Sequence, residues 1–416
     1  MKKYVLPSDI AGRIKAPASK SMMQRVLAAA LLAPGKSEIL DPGYCADTLA
    51  ALEIIKCLGA KIHIKDNSIE VQGGFSPVER RINCNESGLS LRLFTAISAL
   101  HHREIELGGT GTLLLRPLTM IGKPLAALGV KVQTKNGFPP IRVCGPLAGG
   151  EAILDGSLSS QFLSGLLMAL PLARTDSQIT VSNLQSIPYI DMTLQVLADF
   201  GIRIEHDHYR YFFVRAGQTY VPRSLHVEGD WSGAAFLLVA GAIAGEVTVS
   251  GLRADSMQAD RLVLQALGLA GAKVCWQEEE VTVKRSELRA FHLNATHAPD
   301  LFPPLVALAC HCSGKSRITG VERLYFKESN RALALLQEFT GLGAKITLAG
   351  NTMEIEGGPI SGATVFSHHD HRMAMALAVA ALAAQGVIAI EASECVSKSY
   401  PDFFSDLAKI GGNYHE

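Results

Sequence analysis

Leu58-Gly59-Ala60-Lys61-Ile62 is the stretch on which the fold turns, because the same phrase returns along the chain. It reappears as Leu128-Gly129-Val130-Lys131-Val132, Phe200-Gly201-Ile202-Arg203-Ile204, Ala270-Gly271-Ala272-Lys273-Val274 and Leu342-Gly343-Ala344-Lys345-Ile346, with a weaker sixth copy at Ile410-Gly411-Gly412. Successive glycines of the series stand about 70 residues apart. Each follows an amphipathic stretch, such as Thr48–Leu58 or Met192–Phe200, and most precede a β-type stretch. That order spells a helix, a glycine cap in the left-handed region and a strand. One or two copies arise by chance; six in phase mark a structural repeat.

A second series keeps the same phase. Apolar helical segments begin near Lys20, Gly88, Ser160, Trp231, Asp300 and His371, again about 70 residues apart, and run into strand-like stretches such as Ser37–Leu40 and Ser316–Thr319. Segments such as Ala234–Ala244 and Met373–Ala384 are apolar all round, and a helix apolar on every side is buried on every side. Each unit of about 70 residues thus holds one buried helix, one surface helix and several strands. From each capping glycine to the next buried helix there are about 30 residues, yet only Gly412–Glu416 follow Gly411. The segment Met1–Ser19 is therefore expected to complete the last unit. Three units per domain place residues 18–228 in a first domain and residues 1–17 plus 229–416 in a second, with the chain crossing twice.

Composition narrows the function classes. The 416 residues are 48% hydrophobic and 19% charged, too apolar for disorder, and 39 Lys+Arg balance 39 Asp+Glu. A neutral chain is not expected to coat nucleic acid or bind membranes through a polybasic face. The longest all-apolar run, Met373–Ala384, falls short of a spanning helix, and Met1–Ile10 lacks the core of a signal peptide. Eight scattered cysteines without a C-x-x-C pair fit reduced thiols in the cytoplasm. Gly35-Lys36-Ser37 and Gly314-Lys315-Ser316 lack the P-loop glycine five positions earlier, where Ala30 and Ala309 stand. His368-His369-Asp370-His371 reads as a helix start rather than a metal cluster, and no metal or cofactor is expected.

The starts of the buried helices are where chemistry concentrates. They carry Ser19-Lys20-Ser21, Ser87-Gly88, Ser159-Ser160-Gln161, Asp230-Trp231-Ser232, Pro299-Asp300 and Asp370-His371-Arg372. Capping alone explains the Ser and Asp residues, and is the preferred reading for Ser87 and Ser232 taken singly. It does not require Lys20, Arg25, Arg92 or Arg372 in the first turns of buried helices. A buried guanidinium needs an anionic partner, and helix N-termini favour phosphate and carboxylate. A site for small, strongly anionic ligands follows. Lys327-Glu328-Ser329-Asn330-Arg331 reads equally well as such a site or as a solvated helix start, and Arg116 alone reads as a surface residue.

At these residues the chain resembles the 5-enolpyruvylshikimate-3-phosphate synthases. The matching motifs run in order from Pro17 to Phe404. They are Ala18-Ser19-Lys20-Ser21 with Arg25, Asp155-Gly156-Ser157 before Ser159-Ser160-Gln161-Phe162, Ile187-Pro188-Tyr189-Ile190-Asp191, and Val227-Glu228-Gly229-Asp230. Ser256-Met257-Gln258, Lys327-Glu328 with Arg331, Asp370-His371-Arg372-Met373-Ala374-Met375, and Lys398 with Pro401-Asp402 complete them. The resemblance implies a two-domain inside-out α/β barrel of six βαβαββ repeats, three per domain, with buried helix N-termini facing an interdomain cleft. It implies transfer of the enolpyruvyl group of phosphoenolpyruvate to the 5-hydroxyl of shikimate 3-phosphate, with release of phosphate. It assigns shikimate 3-phosphate to Lys20, Ser21, Arg25, Ser159, Ser160, Gln161, Ser186, Asp300 and Lys327. Phosphoenolpyruvate is assigned to Lys20, Gly88, Arg116, Gln161, Arg331, Arg372 and Lys398. Asp300 is implied as base, Glu328 as the group that donates and removes the methylene proton, and Lys20 and Lys398 as stabilisers of the departing phosphate.

Departures from the family pattern are few. Glu86-Ser87-Gly88-Leu89 stands where Asn-Ala-Gly-Thr is usual, Leu93 follows Arg92 where many members have proline, and these bear on the response to the family's inhibitor glyphosate. Ile187 replaces a common lysine, and Arg323 an asparagine of some members. A UDP-N-acetylglucosamine enolpyruvyl transferase and an inactive binding module on the same scaffold remain as rival readings. The expected protein is a cytoplasmic monomer that acts on two small phosphorylated substrates.

Overall fold

A computed structural model describes all residues 1–416. The chain forms two compact units, one of Met1–Ser19 with Glu228–Glu416 and the other of Lys20–Val227. Ala18, Ser19 and Glu228 belong with the unit that holds both termini: Ala18 bridges Gly229, and the Ser19 N–H donates to the Glu228 carbonyl at 2.8 Å.

Twelve helices alternate in character. The odd-numbered ones are α1 (Lys20–Leu32), α3 (Gly88–Ser98), α5 (Gln161–Ala169), α7 (Trp231–Ala244), α9 (Phe302–Cys310) and α11 (His371–Ala381). They are buried from their first or second turn onward, as segments without a polar face must be. The even-numbered ones are α2 (Ala46–Cys57), α4 (Gly122–Ala127), α6 (Pro188–Asp199), α8 (Val263–Leu269), α10 (Arg331–Gly341) and α12 (Phe403–Lys409), each burying one face only. Behind every even-numbered helix the repeat glycine turns the chain out of the helix. Gly59, Gly129, Gly201, Gly271, Gly343 and Gly411 all have φ between +82° and +107°, where a Cβ would be strained.

Six four-stranded sheets repeat one order. In the third, Gly150–Asp155 runs parallel to Ser177–Ser182, which pairs antiparallel with Tyr211–Val214, itself antiparallel to Glu205–Asp207. The strand after each buried helix is thus central and apolar on its inner face, while the hairpin that follows the surface helix carries the sheet edge.

The N-terminal segment is divided rather than spent on one repeat. Lys2–Leu6 is the third strand of the last sheet, antiparallel to Ile388–Glu391 and to Asn413–His415. The last hairpin is therefore cut open at the chain ends, with Lys3 Nζ 2.7 Å from Glu416. Ile10–Lys15 leaves that sheet and runs parallel to Gly245–Ser250 of the fourth, correcting the expectation that the whole of Met1–Ser19 completes the last unit. Counting residues gives the length of a missing piece but not the sheet each strand joins. The first sheet shows the reciprocal arrangement, its parallel edge strand being Ser224–His226 beside Gly35–Leu40. No helix is long and apolar enough to cross a membrane.

Candidate active site

In the unit of residues 20–227 the cationic residues gather at the heads of α1, α3 and α5. Lys20 opens α1, and its ammonium lies 3.0 Å from Asp47 in the first turn of α2. Arg25, 1% exposed, is held wholly by neutral groups. Its Nε donates to Thr193 Oγ1 at 2.8 Å, Nη1 to the Ser21 carbonyl at 2.7 Å, and Nη2 to the Tyr189 carbonyl at 3.2 Å and Ser164 Oγ at 3.4 Å. Burial lowers its pKa to about 10, and no carboxylate of the chain offsets its charge.

Gly88 begins α3 beside two guanidiniums. A Cβ at residue 88 would lie 2.5 Å from Arg116 Nη1 and 2.9 Å from Arg92 Nη1. Arg92 donates to Gln161 Oε1 at 3.0 Å, which joins the heads of α3 and α5. Arg116, read from sequence as a surface residue, is 7% exposed and sits in this group. Ser87 caps α3 by accepting from the Ser90 N–H at 3.3 Å, as capping alone requires. Glu86 turns its carboxylate to the Thr112 hydroxyl at 2.7 Å and the Thr112 N–H at 3.2 Å. At the head of α5, Ser159 Oγ accepts from the Gln161 N–H at 3.1 Å, and Ser160 is buried. Ser186 is also buried, with φ +56° just ahead of α6, a conformation that serine rarely holds.

The unit that carries the termini builds a tighter knot. Asp300, in the turn before α9, receives Arg331 Nη1 at 2.6 Å, Arg372 Nη2 at 3.0 Å and Lys327 Nζ at 3.3 Å. Arg331 is fully buried, also binds Glu328, and reaches Asp370 with Nε at 2.7 Å. Burial pushes the Asp300 carboxyl up, but Arg372, Lys327 and Arg331 outweigh it and hold the group well below the usual carboxylate range. Burial lowers the Lys327 pKa against the pull of Asp300. Lys398 donates to the His369 carbonyl at 2.8 Å. The segment Lys327–Arg331 is therefore no solvated helix start. Nor are all the guanidiniums short of partners: Arg331 and Arg372 have carboxylates of the chain itself, whereas Arg25 has none.

Several partnerships carry no sequence signal of their own. Asp47 fixes Lys20 from the next helix, while Thr193 and Ser164 fix Arg25 from other repeats, 168 and 139 residues away. Ser232 is not the cap of α7: Asp230 Oδ1 accepts the Ser232 N–H at 3.0 Å, and the Ser232 hydroxyl instead receives Arg372 Nη2 at 2.7 Å. Asp370 caps α11 through the Arg372 N–H at 3.0 Å while it binds Arg331. Asp260, 1% exposed, lies under Asp300, Arg372 and Ser232, and burial with the Asp300 charge lifts its pKa to about 7. Asp370 stood out in sequence as a short polar residue just ahead of a buried helix, but its bond to Arg331 did not. No group of three or more His, Cys, Asp or Glu is placed to hold a metal ion.

The chain as a whole has known relatives. Residues 6–407 match the family of EPSP synthases (3-phosphoshikimate 1-carboxyvinyltransferases). A 3-phosphoshikimate 1-carboxyvinyltransferase of Methanocorpusculum labreanum is 38% identical, each chain covering 100% of the other. One of Clostridium botulinum is 37% identical over 99% of this chain and 98% of its own. An EPSP synthase structure from Acinetobacter baumannii superposes with a TM-score of 0.85 at 26% identity, both chains covered in full. An enolpyruvyl transferase from Streptomyces tendae, 17% identical with a TM-score of 0.81, shares the fold. With the match spanning both units and every helix head described above, the chain belongs to the EPSP synthase family.

Proposed function

We propose that the chain is an enzyme transferring the enolpyruvyl group of phosphoenolpyruvate to the 5-hydroxyl of shikimate 3-phosphate. The observation that carries the reading is the Asp300 knot: one carboxylate held by Arg331, Arg372 and Lys327, with Glu328 on the same Arg331 guanidinium. Each substrate bears a phosphate and a carboxylate, which suit Lys20, Arg25 and Arg116 in one unit and Arg331, Arg372 and Lys398 in the other. Gly88 and Gln161 line the phosphoenolpyruvate side. Ser21, Ser159, Ser160, Gln161, Ser186 and Lys327 hold shikimate 3-phosphate.

In this reading the 5-hydroxyl attacks C2 of phosphoenolpyruvate and gives its proton to Asp300, while Glu328 protonates C3. Glu328 then takes a C3 proton back as the C2–O bond to phosphate breaks, which restores the double bond and frees phosphate. A carboxylate held as low as Asp300 is a weak base while three cations surround it. Ligand phosphates and carboxylates that draw Arg331, Arg372 and Lys327 toward themselves raise its basicity when both substrates are bound. Lys20 and Lys398 neutralise the departing phosphate. A monomer suffices for this reading, since one copy of the chain carries every assigned residue. Eight free cysteines and small metabolite substrates support a cytoplasmic enzyme.

The related transfer to a UDP-sugar is the reading to exclude. Product masses after incubation with phosphoenolpyruvate and either shikimate 3-phosphate or UDP-N-acetylglucosamine decide it. The expected result is an enolpyruvyl adduct of shikimate 3-phosphate alone; an adduct of the UDP-sugar alone overturns the assignment.

A further inference from the structure

His368 and His369 form a turn that costs the chain something to hold. Both have positive φ, +54° and +55°, a conformation suited to glycine or asparagine, and they lie between the edge strand Thr364–Phe366 and the head of α11. Such a turn persists only where its surroundings over-determine it. Two groups do so here. Ser367, fully buried, donates its hydroxyl to the Ala392 carbonyl at 3.0 Å and accepts the His369 N–H at 3.2 Å. Glu338 of α10, 7% exposed, clamps the other side. Its Oε2 accepts the Phe366 N–H at 2.9 Å, and its Oε1 lies 2.7 Å from His368 Nε2.

The turn presents two groups to the site. The His369 carbonyl receives the Lys398 ammonium at 2.8 Å, and the next residue, Asp370, caps α11 and binds Arg331. Glu338 stands two helical turns beyond Arg331 on α10, so one helix grips both ends of the same short segment. The pair joins a buried carboxylate to a half-buried ring, and both hold the backbone that carries His369 and Asp370.

We propose that Glu338 and His368 are positioning residues: their pair fixes the left-handed turn so that the His369 carbonyl holds Lys398 where it meets the phosphate of phosphoenolpyruvate. The proposal rests on the reading of Lys398 as a phosphoenolpyruvate residue. Neither side chain touches substrate; both act through the backbone between them.

The test is steady-state kinetics of the full chain with phosphoenolpyruvate and shikimate 3-phosphate, combined with thermal unfolding. Glu338→Ala and His368→Ala are expected to raise KM for phosphoenolpyruvate roughly tenfold while KM for shikimate 3-phosphate stays within about twofold. Glu338→Gln, which keeps an acceptor for Phe366 and a hydrogen-bonding group for His368, is expected to stay near wild type. His368→Gly relieves the backbone but removes the ring, and is expected to behave like His368→Ala. In a Lys398→Met background the Glu338→Ala and Glu338→Gln changes should have no further effect on KM for phosphoenolpyruvate. A Glu338 effect of full size in that background, or equal rises in both KM values, overturns the proposal and leaves the reading of Lys398 standing. A Lys398→Met enzyme with unchanged kinetics overturns both. Should Glu338→Ala fail to fold, the His368 pair of variants carries the same comparison.

Discussion

Asp260 holds a proton that its unfolded form gives up. Burial and the neighbouring Asp300 charge raise its pKa from 3.8 to about 7, so in that window the folded chain binds more protons than the unfolded chain. Stability from this group is intact below about 3.8, falls as pH rises and is lost above about 7. Asp300, held low, works in the opposite direction and is common to variant and wild type. Asp260→Asn is therefore expected to unfold a few degrees higher than wild type at pH 8, with the difference vanishing near pH 4, as scanning calorimetry would show. Equal melting temperatures at pH 8 contradict the assignment. Gly88 makes the second residue-scale case. A methyl there meets the Nη1 atoms of Arg116 and Arg92 at 2.5 and 2.9 Å, and these flexible ends can yield. Gly88→Ala should keep its melting temperature within about 2 °C yet raise KM for phosphoenolpyruvate about tenfold, because Arg116, the guanidinium it crowds most, is assigned to that substrate. A motif pointed to Asp300 and Glu328 in the sequence, and the structure brings both onto Arg331. Asp260 was not legible there, since nothing local separates a carboxylate under Asp300 from one on the surface.

Helix heads are the elements that gather the buried charges, and α11 shows how one residue does two jobs. Asp370 caps the helix through the Arg372 N–H and neutralises the buried Arg331. Asp370→Ala removes both functions and should cost about 3–5 kcal/mol in urea unfolding, toward the low end because Asp300 and Glu328 also bind Arg331. Asp370→Asn keeps an acceptor for the cap and should recover about 1 kcal/mol of that loss. Equal losses in the two variants would show that the cap contributes nothing. Where the six buried helices start was readable from periodicity, because a helix without a polar face has nowhere else to go. Which capping residue does what was not readable: Ser232 and Asp230 look interchangeable in sequence, and only the approach of Arg372 from 140 residues away separates them.

At the scale of the whole molecule, the repeat of about 70 residues gave the number of units and the fact that the ends meet, because six copies of one phrase leave the last incomplete. The exchange of edge strands stayed hidden, since Ile10–Lys15 and Ser224–His226 have no pattern that says which sheet they join. The closing strand has a measurable role. Deleting residues 1–8 removes Val5, 0% exposed, and exposes the edges of Ile388–Glu391 and Asn413–His415. The truncated chain is expected to aggregate or lose its cooperative unfolding, followed by circular dichroism. Zero net charge also takes on a different meaning. It averages over a knot in which Asp300, Glu328 and Asp370 offset Arg331, Arg372 and Lys327, and over Arg25, whose partners are neutral. In the proposed reaction these groups together move an enolpyruvyl unit. Phosphate release from phosphoenolpyruvate, followed with and without shikimate 3-phosphate in the presence of a chelator, tests it most directly. Release is expected only when both substrates are present, and to fall by orders of magnitude in Glu328→Ala and Asp300→Ala variants shown by circular dichroism to remain folded at the assay temperature. Absence of release with both substrates, or unchanged release in those variants, would contradict it.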